Sequence, residues 1–363
     1  MRILLDAREA QSNTGTGNVI RNLYPKVIKY DKSNKYTILY TGDDPFPKVK
    51  CEKIKSPKER GEKFTYIWQI FGLSHLLNKN HFDRFFSVEN IVYPLFFKGK
   101  TIISIQDVIP IALNNYYDKL YDKIKYRVKV LTLKIFPKKY IVYTISEFSK
   151  KEIVKYLKID PGKIFVVKHG IDKKRAPFNS KHYLNKLKIN FPYIMAIGGG
   201  EKRKNNKILE DIMRETKIEI KCILVGDINR EKHASQFLEI NENEKFIPVG
   251  MVDIKTLFSL YKNAKIFLFL SYYEGFGLPP LEAMSLGTPV IASYKSSIRE
   301  ILKDAAIYVN PFDKKEIEDS IILLLNNESL RKSMISKGKN LLKEYTWDKS
   351  AKNFIKIINN ENR

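Results

Sequence analysis

Two glutamates enclose seven residues in the stretch EGFGLPPLE, which runs from Glu274 to Glu282. Pro279 and Pro280 suit the first turn of a helix, so Glu282 is expected near the start of that helix. Two carboxylates in this arrangement could act as acid and nucleophile in glycoside hydrolysis or ligate a metal. They could also bind the hydroxyls of a sugar or a ribose. The apolar, glycine-rich surroundings favour one shared pocket over a solvated helix face.

A second candidate site is the stretch GGGEKRKN. Gly198 and Gly199 follow a predicted strand, and Arg203 and Lys204 precede a helix that is predicted to begin near Asn205. Glycines permit close approach of a ligand, while cations and a helix N-terminus attract an anion. The pattern predicts a diphosphate site, and the alternative is a solvated basic turn.

A third candidate lies in DAREAQSNTGTGNVIRN, where a glycine loop formed by Gly15, Thr16 and Gly17 separates a predicted strand from a predicted helix. Such a loop can present backbone N–H groups to a phosphate or a sugar. Its alternative is a flexible turn whose glycines have positive φ. The five histidines are scattered and the two cysteines lie far apart, so no metal site is expected.

Strands alternate with helices along the chain, which predicts parallel sheets built from βαβ units. Two such series, separated by a polar segment at 173–190 interpreted as a linker, predict an α/β protein with two doubly wound, Rossmann-like domains. Ligands of such sheets bind at the carboxyl ends of the strands. The predicted strands lie at 2–7, 36–41, 82–88, 101–108, 140–146, 163–172, 193–199, 221–227, 245–250, 265–271 and 288–293.

The chain of 363 residues has a formal net charge of +25, which is unevenly distributed. Residues 1–200 carry 38 Lys and Arg against 17 Asp and Glu, whereas residues 201–363 carry 27 against 23. Biased coding could explain the lysines. The sharper interpretations are nucleic acid or an anionic membrane surface facing the first half. No signal-peptide pattern or 18-residue apolar run is found, and the cysteine usage fits the cytoplasm.

The stretch from residue 246 to residue 293, which contains EGFGLPPLE, resembles the signature region of the retaining glycosyltransferases of family 4. The resemblance extends over nearly the whole chain. The N-terminal glycine loop is similar to the acceptor-side loop of the mannosyl- and rhamnosyltransferase-like branch. Further similar segments are YIMAIGGGEKRKN (193–205), YTISEFSK (143–150), KIFVVKHGID (163–172) and TWDKSAKNF (346–354).

This resemblance implies the GT-B fold, in which two Rossmann-like domains face a central cleft. Residues 1–180 would form the acceptor domain, and residues 181–345 the nucleotide-sugar domain. The C-terminal helix at 346–363 would cross back onto the first domain. No cofactor is implied, since the nucleotide-diphosphate sugar is a co-substrate. No metal is implied either, because Arg203 and Lys204 would neutralise the diphosphate and the sequence shows no Asp-x-Asp metal motif.

The resemblance also implies roles for the site residues. Glu274 would lie near the hydroxyls and reaction centre of the donor sugar, and Glu282 would accept hydrogen bonds from the ribose. Arg203 and Lys204 would neutralise the departing diphosphate, and front-face attack would retain the configuration. The other implied donor-binding residues are Gly198, Gly199, Gly275, Phe276, Gly277 and Leu278.

Three departures from the family pattern concern predicted site residues or their neighbours. Gln106 stands beside Asp107 where many relatives have histidine, and glutamine cannot carry a proton as histidine does. Gly199 occupies a position where some relatives place arginine. Thr16 and Asn18 stand where isoleucine and arginine are common.

The resulting hypothesis is a metal-independent retaining glycosyltransferase of polysaccharide or lipopolysaccharide synthesis. It would move a sugar, with GDP-mannose favoured as donor, to a lipid-linked glycan at the cytoplasmic membrane face. The segment 116–139 is interpreted as an interfacial helix or an ordinary covering helix. The alternatives are a soluble or protein acceptor, a non-catalytic sugar-nucleotide binder, or a nucleic-acid-binding protein, the last of which leaves EGFGLPPLE unexplained.

Overall fold

The computed structural model describes residues 1–12, 14–57, 67–88, 94–113, 140–171, 176–199, 201–226 and 244–359. The chain forms two compact units, of which the first comprises Met1–Gly170 and Thr346–Arg363, and the second Ile171–Tyr345. Within the described residues, no helix has both the length and the apolar character needed to cross a bilayer.

The first unit contains a parallel sheet of seven strands in the order β3-β2-β1-β4-β5-β6-β7. Its central strands are buried on both faces, which explains their continuous apolar runs. The strands are β1 (Arg2–Asp6), β2 (Lys35–Tyr40), β3 (Glu52–Lys55), β4 (Arg84–Ser87), β5 (Lys100–Ser104), β6 (Tyr140–Thr144) and β7 (Ile164–Val166). The helices are α1 (Gly15–Tyr30), α2 (Leu73–Lys79), α3 (Ile109–Ala112), α4 (Glu147–Leu157) and the C-terminal α12 (Trp347–Asn359).

The C-terminal helix α12 packs on α1 and belongs to the first unit. Its apolar face is buried, and the Phe354 ring lies 4.2 Å from the Phe86 ring, centroid to centroid. Asp348 at its start accepts hydrogen bonds from Lys26 and Tyr30 of α1. Apolar packing thus supplies the attachment, and the partly exposed ion pair adds little.

The second unit contains six parallel strands in the order β10-β9-β8-β11-β12-β13. The strands are β8 (Tyr193–Ile197), β9 (Lys221–Val225), β10 (Phe246–Gly250), β11 (Phe267–Phe269), β12 (Val290–Ser293) and β13 (Ala306–Val309). The helices are α5 (Ser180–Lys186), α6 (Asn206–Glu215), α7 (Ile254–Asn263), α8 (Leu278–Ser285), α9 (Ile298–Leu302), α10 (Lys314–Asn326) and α11 (Glu328–Leu341). The predicted α/β class with two doubly wound parallel sheets is therefore confirmed.

Several sequence-based assignments differ from the structure. The segment 173–190, interpreted as a linker, contains α5, which packs on α7 through buried Leu184 and a hydrogen bond from Asn263 to Ser180. The first unit consequently ends at Gly170, before the predicted boundary at residue 180. Strands β3 and β13 were not predicted. Both are edge strands of four residues, and β3 in addition carries two lysines. The predicted helix at 116–139 lies outside the described residues.

Candidate active site

The pairing of β8 with β11 brings two of the predicted motifs together. Met195 of β8 is in register with Phe267 of β11, so the two strands end side by side. The turn after β8 carries Arg203, and the loop after β11 carries Glu274. A backbone hydrogen bond of 3.0 Å from Tyr272 to the carbonyl of Arg203 joins the two loops.

A cluster of four charged side chains forms where these loops meet. Glu274 Oε1 lies 2.6 Å from Arg203 Nη1 and 2.6 Å from Lys204 Nζ. Arg203 Nε lies 2.7 Å from Glu201 Oε2. All four side chains are at least three-quarters buried, with exposed fractions between 11% and 22%. We call Glu201, Arg203, Lys204 and Glu274 the charge cluster.

The charge cluster has two cations and two carboxylates, so its formal charges cancel. Further contacts fix the cations: Arg203 Nη1 donates to the carbonyl of Tyr273 at 3.2 Å. Lys204 Nζ lies 5.4 Å from the centre of the Phe269 ring, within the range of a cation–π contact. An arriving anion could bind these cations in place of Glu274, whose carboxylate would then be released toward the ligand.

The main chain of Glu274 is bonded to the loop that follows β12. Its amide donates to Ser296 Oγ at 3.0 Å, and its carbonyl accepts from Ser297 Oγ at 2.8 Å. Ser297 Oγ also lies 3.3 Å from the carbonyl of Phe276. Ser296 has a φ of +55°, a left-handed conformation that is uncommon for residues other than glycine.

Glu282 lies on α8, which begins directly after Gly277, a residue whose φ of +97° favours glycine. Tyr261 donates its hydroxyl hydrogen to Glu282 Oε2 at 3.4 Å. Burial, reinforced by the Glu282 carboxylate, raises the pKa of Tyr261 well above its ordinary value, so this hydroxyl remains a donor. Glu282 is half-buried, and an ionised carboxylate only accepts hydrogen bonds, as a ligand hydroxyl requires.

Gly198 after β8 and Gly226 after β9 lie where a side chain would collide with neighbouring atoms. A Cβ on Gly226 would lie 2.1 Å from the carbonyl oxygen of Gly198, so the loops after β8 and β9 approach as bare backbone. A Cβ on Gly198 would lie 2.4 Å from Asn206 Nδ2, which donates to the carbonyl of Gly199 at 3.0 Å. Helix α6 begins at Asn206, close to the predicted position.

The remaining predicted residues belong to the first unit. Gln106 and Asp107 follow β5 and are half-buried, and Asp107 Oδ1 accepts from the amide of Ile109 at 3.2 Å. Gly15, Thr16 and Gly17 were predicted as a loop but form the first turn of α1. Neither of the two glycines has positive φ. A Cβ on Gly17 would lie 2.3 Å from the Ser12 carbonyl oxygen. Glycine is therefore needed at this position because any side chain would clash with the backbone.

Several polar residues at these strand ends were not predicted. Arg8 forms a bidentate ion pair with buried Asp6 at 2.7 and 2.8 Å, and its guanidinium lies 5.3 Å from the centre of the Trp68 ring. In the second unit, Glu201 and the serines of the loop after β12 were missed. Glu201 lies inside the motif GGGEKRKN, whereas isolated serines give no sequence signal.

Among the described residues, no group of three or more His, Cys, Asp or Glu side chains is arranged to hold a metal ion.

The chain is similar to known proteins in both sequence and structure. Residues 179–341 match the family "Glycosyl transferases group 1". The chain is 30% identical over 259 residues to the O-antigen chain mannosyltransferase B of Escherichia coli, with 69% of this chain and 67% of that protein covered. It is 29% identical over 251 residues to the O-antigen chain mannosyltransferase RfbU of Salmonella typhimurium, with 68% and 65% covered.

A similar solved structure is that of WaaG, described as a glycosyltransferase involved in lipopolysaccharide biosynthesis. It superposes with a TM-score of 0.69 at 16% identity and covers 99% of this chain and all of WaaG. At this identity the likeness concerns the fold alone, and it agrees with the two parallel-sheet units described above.

Proposed function

Because the chain belongs to the group 1 glycosyltransferases, with their GT-B fold, we propose that it transfers a sugar from a nucleotide-diphosphate donor with retention of configuration. The observation that carries this proposal is the charge cluster. Glu274, Arg203 and Lys204 come from two separate motifs, yet they meet within 2.6 Å at the carboxyl ends of neighbouring parallel strands. This is the edge of the sheet where ligands of such folds bind.

The proposed donor site uses the residues of the second unit. The diphosphate binds Arg203 and Lys204, which stabilise the charge that develops on the leaving group. Glu282 accepts hydrogen bonds from the ribose hydroxyls. Once the diphosphate has bound Arg203 and Lys204, the carboxylate of Glu274 binds the hydroxyls of the donor sugar. The backbone from Gly275 to Leu278 also contacts the donor. The leaving phosphate accepts the proton of the attacking acceptor hydroxyl. This step needs no protein base, which agrees with glutamine, and not histidine, at position 106.

We propose GDP-mannose as the donor, because two relatives are named as O-antigen chain mannosyltransferases. Their names also support a role in building a cell-surface polysaccharide. We further propose a lipid-linked acceptor bound by the first unit, with Asp107 and Gln106 on the acceptor side. Residues 1–170, which belong to this unit, carry 32 Lys and Arg against 16 Asp and Glu, and this excess of positive charge would hold the unit at the cytoplasmic face of an anionic membrane.

The first test is a thermal-shift measurement of the full chain with GDP, UDP and dTDP, each with Mg²⁺ and with EDTA. A ligand that binds only the folded protein must raise its melting temperature. We expect GDP to raise it most, and equally in both conditions. A larger shift with UDP or dTDP would refute the proposed donor base.

The second test is turnover with GDP-mannose and a lipid-linked glycan acceptor. Lys204→Ala should reduce turnover, and the anomeric configuration of the product reports retention or inversion directly. The absence of a thermal shift with all three nucleotides, together with salt-dependent binding of an oligonucleotide, would refute the transferase and favour a nucleic-acid-binding protein.

A further inference from the structure

The two serines after β12 hold Glu274 through its main chain. The amide of Glu274 donates to Ser296 Oγ at 3.0 Å, and Ser297 Oγ donates to the carbonyl of Glu274 at 2.8 Å. Ser297 is completely buried, so its side chain has little freedom. Both polar groups of the Glu274 backbone are thereby bonded to one loop, and the orientation of the Glu274 carboxylate depends on that loop.

Ser296 makes its contact from a strained backbone. Its φ of +55° brings Cβ close to the backbone in any residue that has one, whereas glycine adopts this conformation freely. Strain of this kind persists where the surrounding structure holds it and is concentrated at functional sites. Here the strained residue is the one whose hydroxyl receives the Glu274 amide, so glycine would relieve the strain and lose the contact.

We propose that Ser296 is a positioning residue for the transfer reaction. It fixes the peptide bond between Tyr273 and Glu274. The Glu274 carboxylate is thereby restricted to two positions, one between Arg203 and Lys204 and the other against the donor sugar. The inference rests on the proposed function and extends it to a residue outside both motifs. Because the ribose contact proposed for Glu282 does not depend on Ser296, nucleotide affinity should be spared while turnover falls.

The test compares Ser296→Gly and Ser296→Ala with the wild type in melting temperature, GDP affinity and turnover. We expect Ser296→Gly to melt at the same or a higher temperature, because glycine removes the strain. Its kcat should fall roughly tenfold, the effect of about one hydrogen bond, with the Kd for GDP within about twofold. Ser296→Ala should lose turnover similarly without the gain in melting temperature.

Two controls separate positioning from a general effect on the fold. Lys188 also has positive φ, +54°, and is exposed in the same unit, so Lys188→Gly should leave kcat unchanged. In a Glu274→Ala background, Ser296→Gly should cause no further loss, because residues that act through one group are not additive. A full additional loss in that background would overturn the proposal.

The outcomes distinguish this inference from the function on which it rests. If wild-type protein binds GDP and turns over but Ser296→Gly keeps full kcat, Ser296 is not a positioning residue and the proposed function stands. If Ser296→Gly loses melting temperature and turnover together, its role is only structural and the inference is wrong. If the wild type neither binds nor transfers, the proposed function fails and the inference fails with it.

Discussion

Replacing Glu274 with glutamine should lower the folding stability of the ligand-free protein and raise its affinity for a nucleoside diphosphate. Glutamine preserves the shape of the side chain but removes the charge that lies 2.6 Å from both Arg203 Nη1 and Lys204 Nζ. Arg203 keeps its ion pair with Glu201, whereas Lys204, which is also largely buried, loses the negative charge beside it. A diphosphate would supply the missing negative charge. The electrostatic stabilisation that the ligand-free variant has lost should therefore appear as tighter binding of the diphosphate.

The magnitude follows from the burial of the charge cluster. At an effective dielectric constant of about 20, two charges 4 Å apart interact by about 4 kcal/mol, most of which desolvation offsets. Breaking a fully buried pair costs about 3–5 kcal/mol. Because Arg203 and Lys204 remain 11% and 14% exposed and can turn to water, we expect a loss of about 2 kcal/mol. For a unit of this size, that corresponds to a melting temperature lower by about 4–8 °C.

The assay is calorimetric titration of GDP into wild type and Glu274→Gln, with thermal melts of both. We expect GDP to bind the variant about tenfold more tightly, equivalent to about 1.4 kcal/mol, while turnover falls. Glu210→Gln is the matched control, since Glu210 pairs on α6 with exposed Lys207 and Arg214. That variant should lose less than about 1 kcal/mol and bind GDP normally. Weaker GDP binding by Glu274→Gln would refute competition between carboxylate and diphosphate.

Three further predictions concern other parts of the molecule. Glu282→Ala should weaken GDP binding about tenfold but leave binding of 2′,3′-dideoxy-GDP, which lacks both ribose hydroxyls, unchanged. Equal losses of affinity for both ligands would refute the proposed ribose contact. Burial lowers the pKa of His169 to about 4. As the pH falls, the unfolded chain therefore binds this proton before the folded chain does. Folding stability should decrease from about pH 6.5 down to about pH 4, by up to about 1.4 kcal/mol per pH unit. His169→Gln should flatten this slope in denaturant titrations, whereas replacement of exposed His75 should not. Phe354→Ala should cost about 3–5 kcal/mol and Asp348→Ala less than about 1 kcal/mol; equal losses would mean that the ion pair, not the apolar face, attaches α12.

The sequence was sufficient for elements whose signal is local. Apolar runs bounded by glycine or polar residues predicted most of the strands, and the start of α6 was placed within a residue or so of Asn206. It failed where burial depends on distant partners. Helix α5 is polar in its own sequence and is recognised as part of the second unit only because Leu184 is buried and the helix packs on α7.

The candidate site shows the same limit more sharply. Spacing predicted a shared pocket for Glu274 and Glu282, but it gave no indication that the ion pairs of Glu274 involve residues some 70 positions earlier. Nothing local specifies that approach, since β9 and β10 follow β8 in the chain and yet lie on its other side. Once β11 is known to pair with β8, the contact of Arg203 with Glu274 follows from the parallel register, because both lie just beyond the carboxyl ends of neighbouring strands.

The serine contacts of Glu274 required one more fact of the same kind, that β12 lies on the other side of β11. Glu274 is thus held between the loops of two neighbouring strands: cations from the loop after β8 bind its side chain, and serines from the loop after β12 bind its backbone. An anion that bound these cations would release the side chain of Glu274 and leave its backbone fixed. The carboxylate would then reorient toward the ligand without movement of the peptide, which is the condition for a preorganised site.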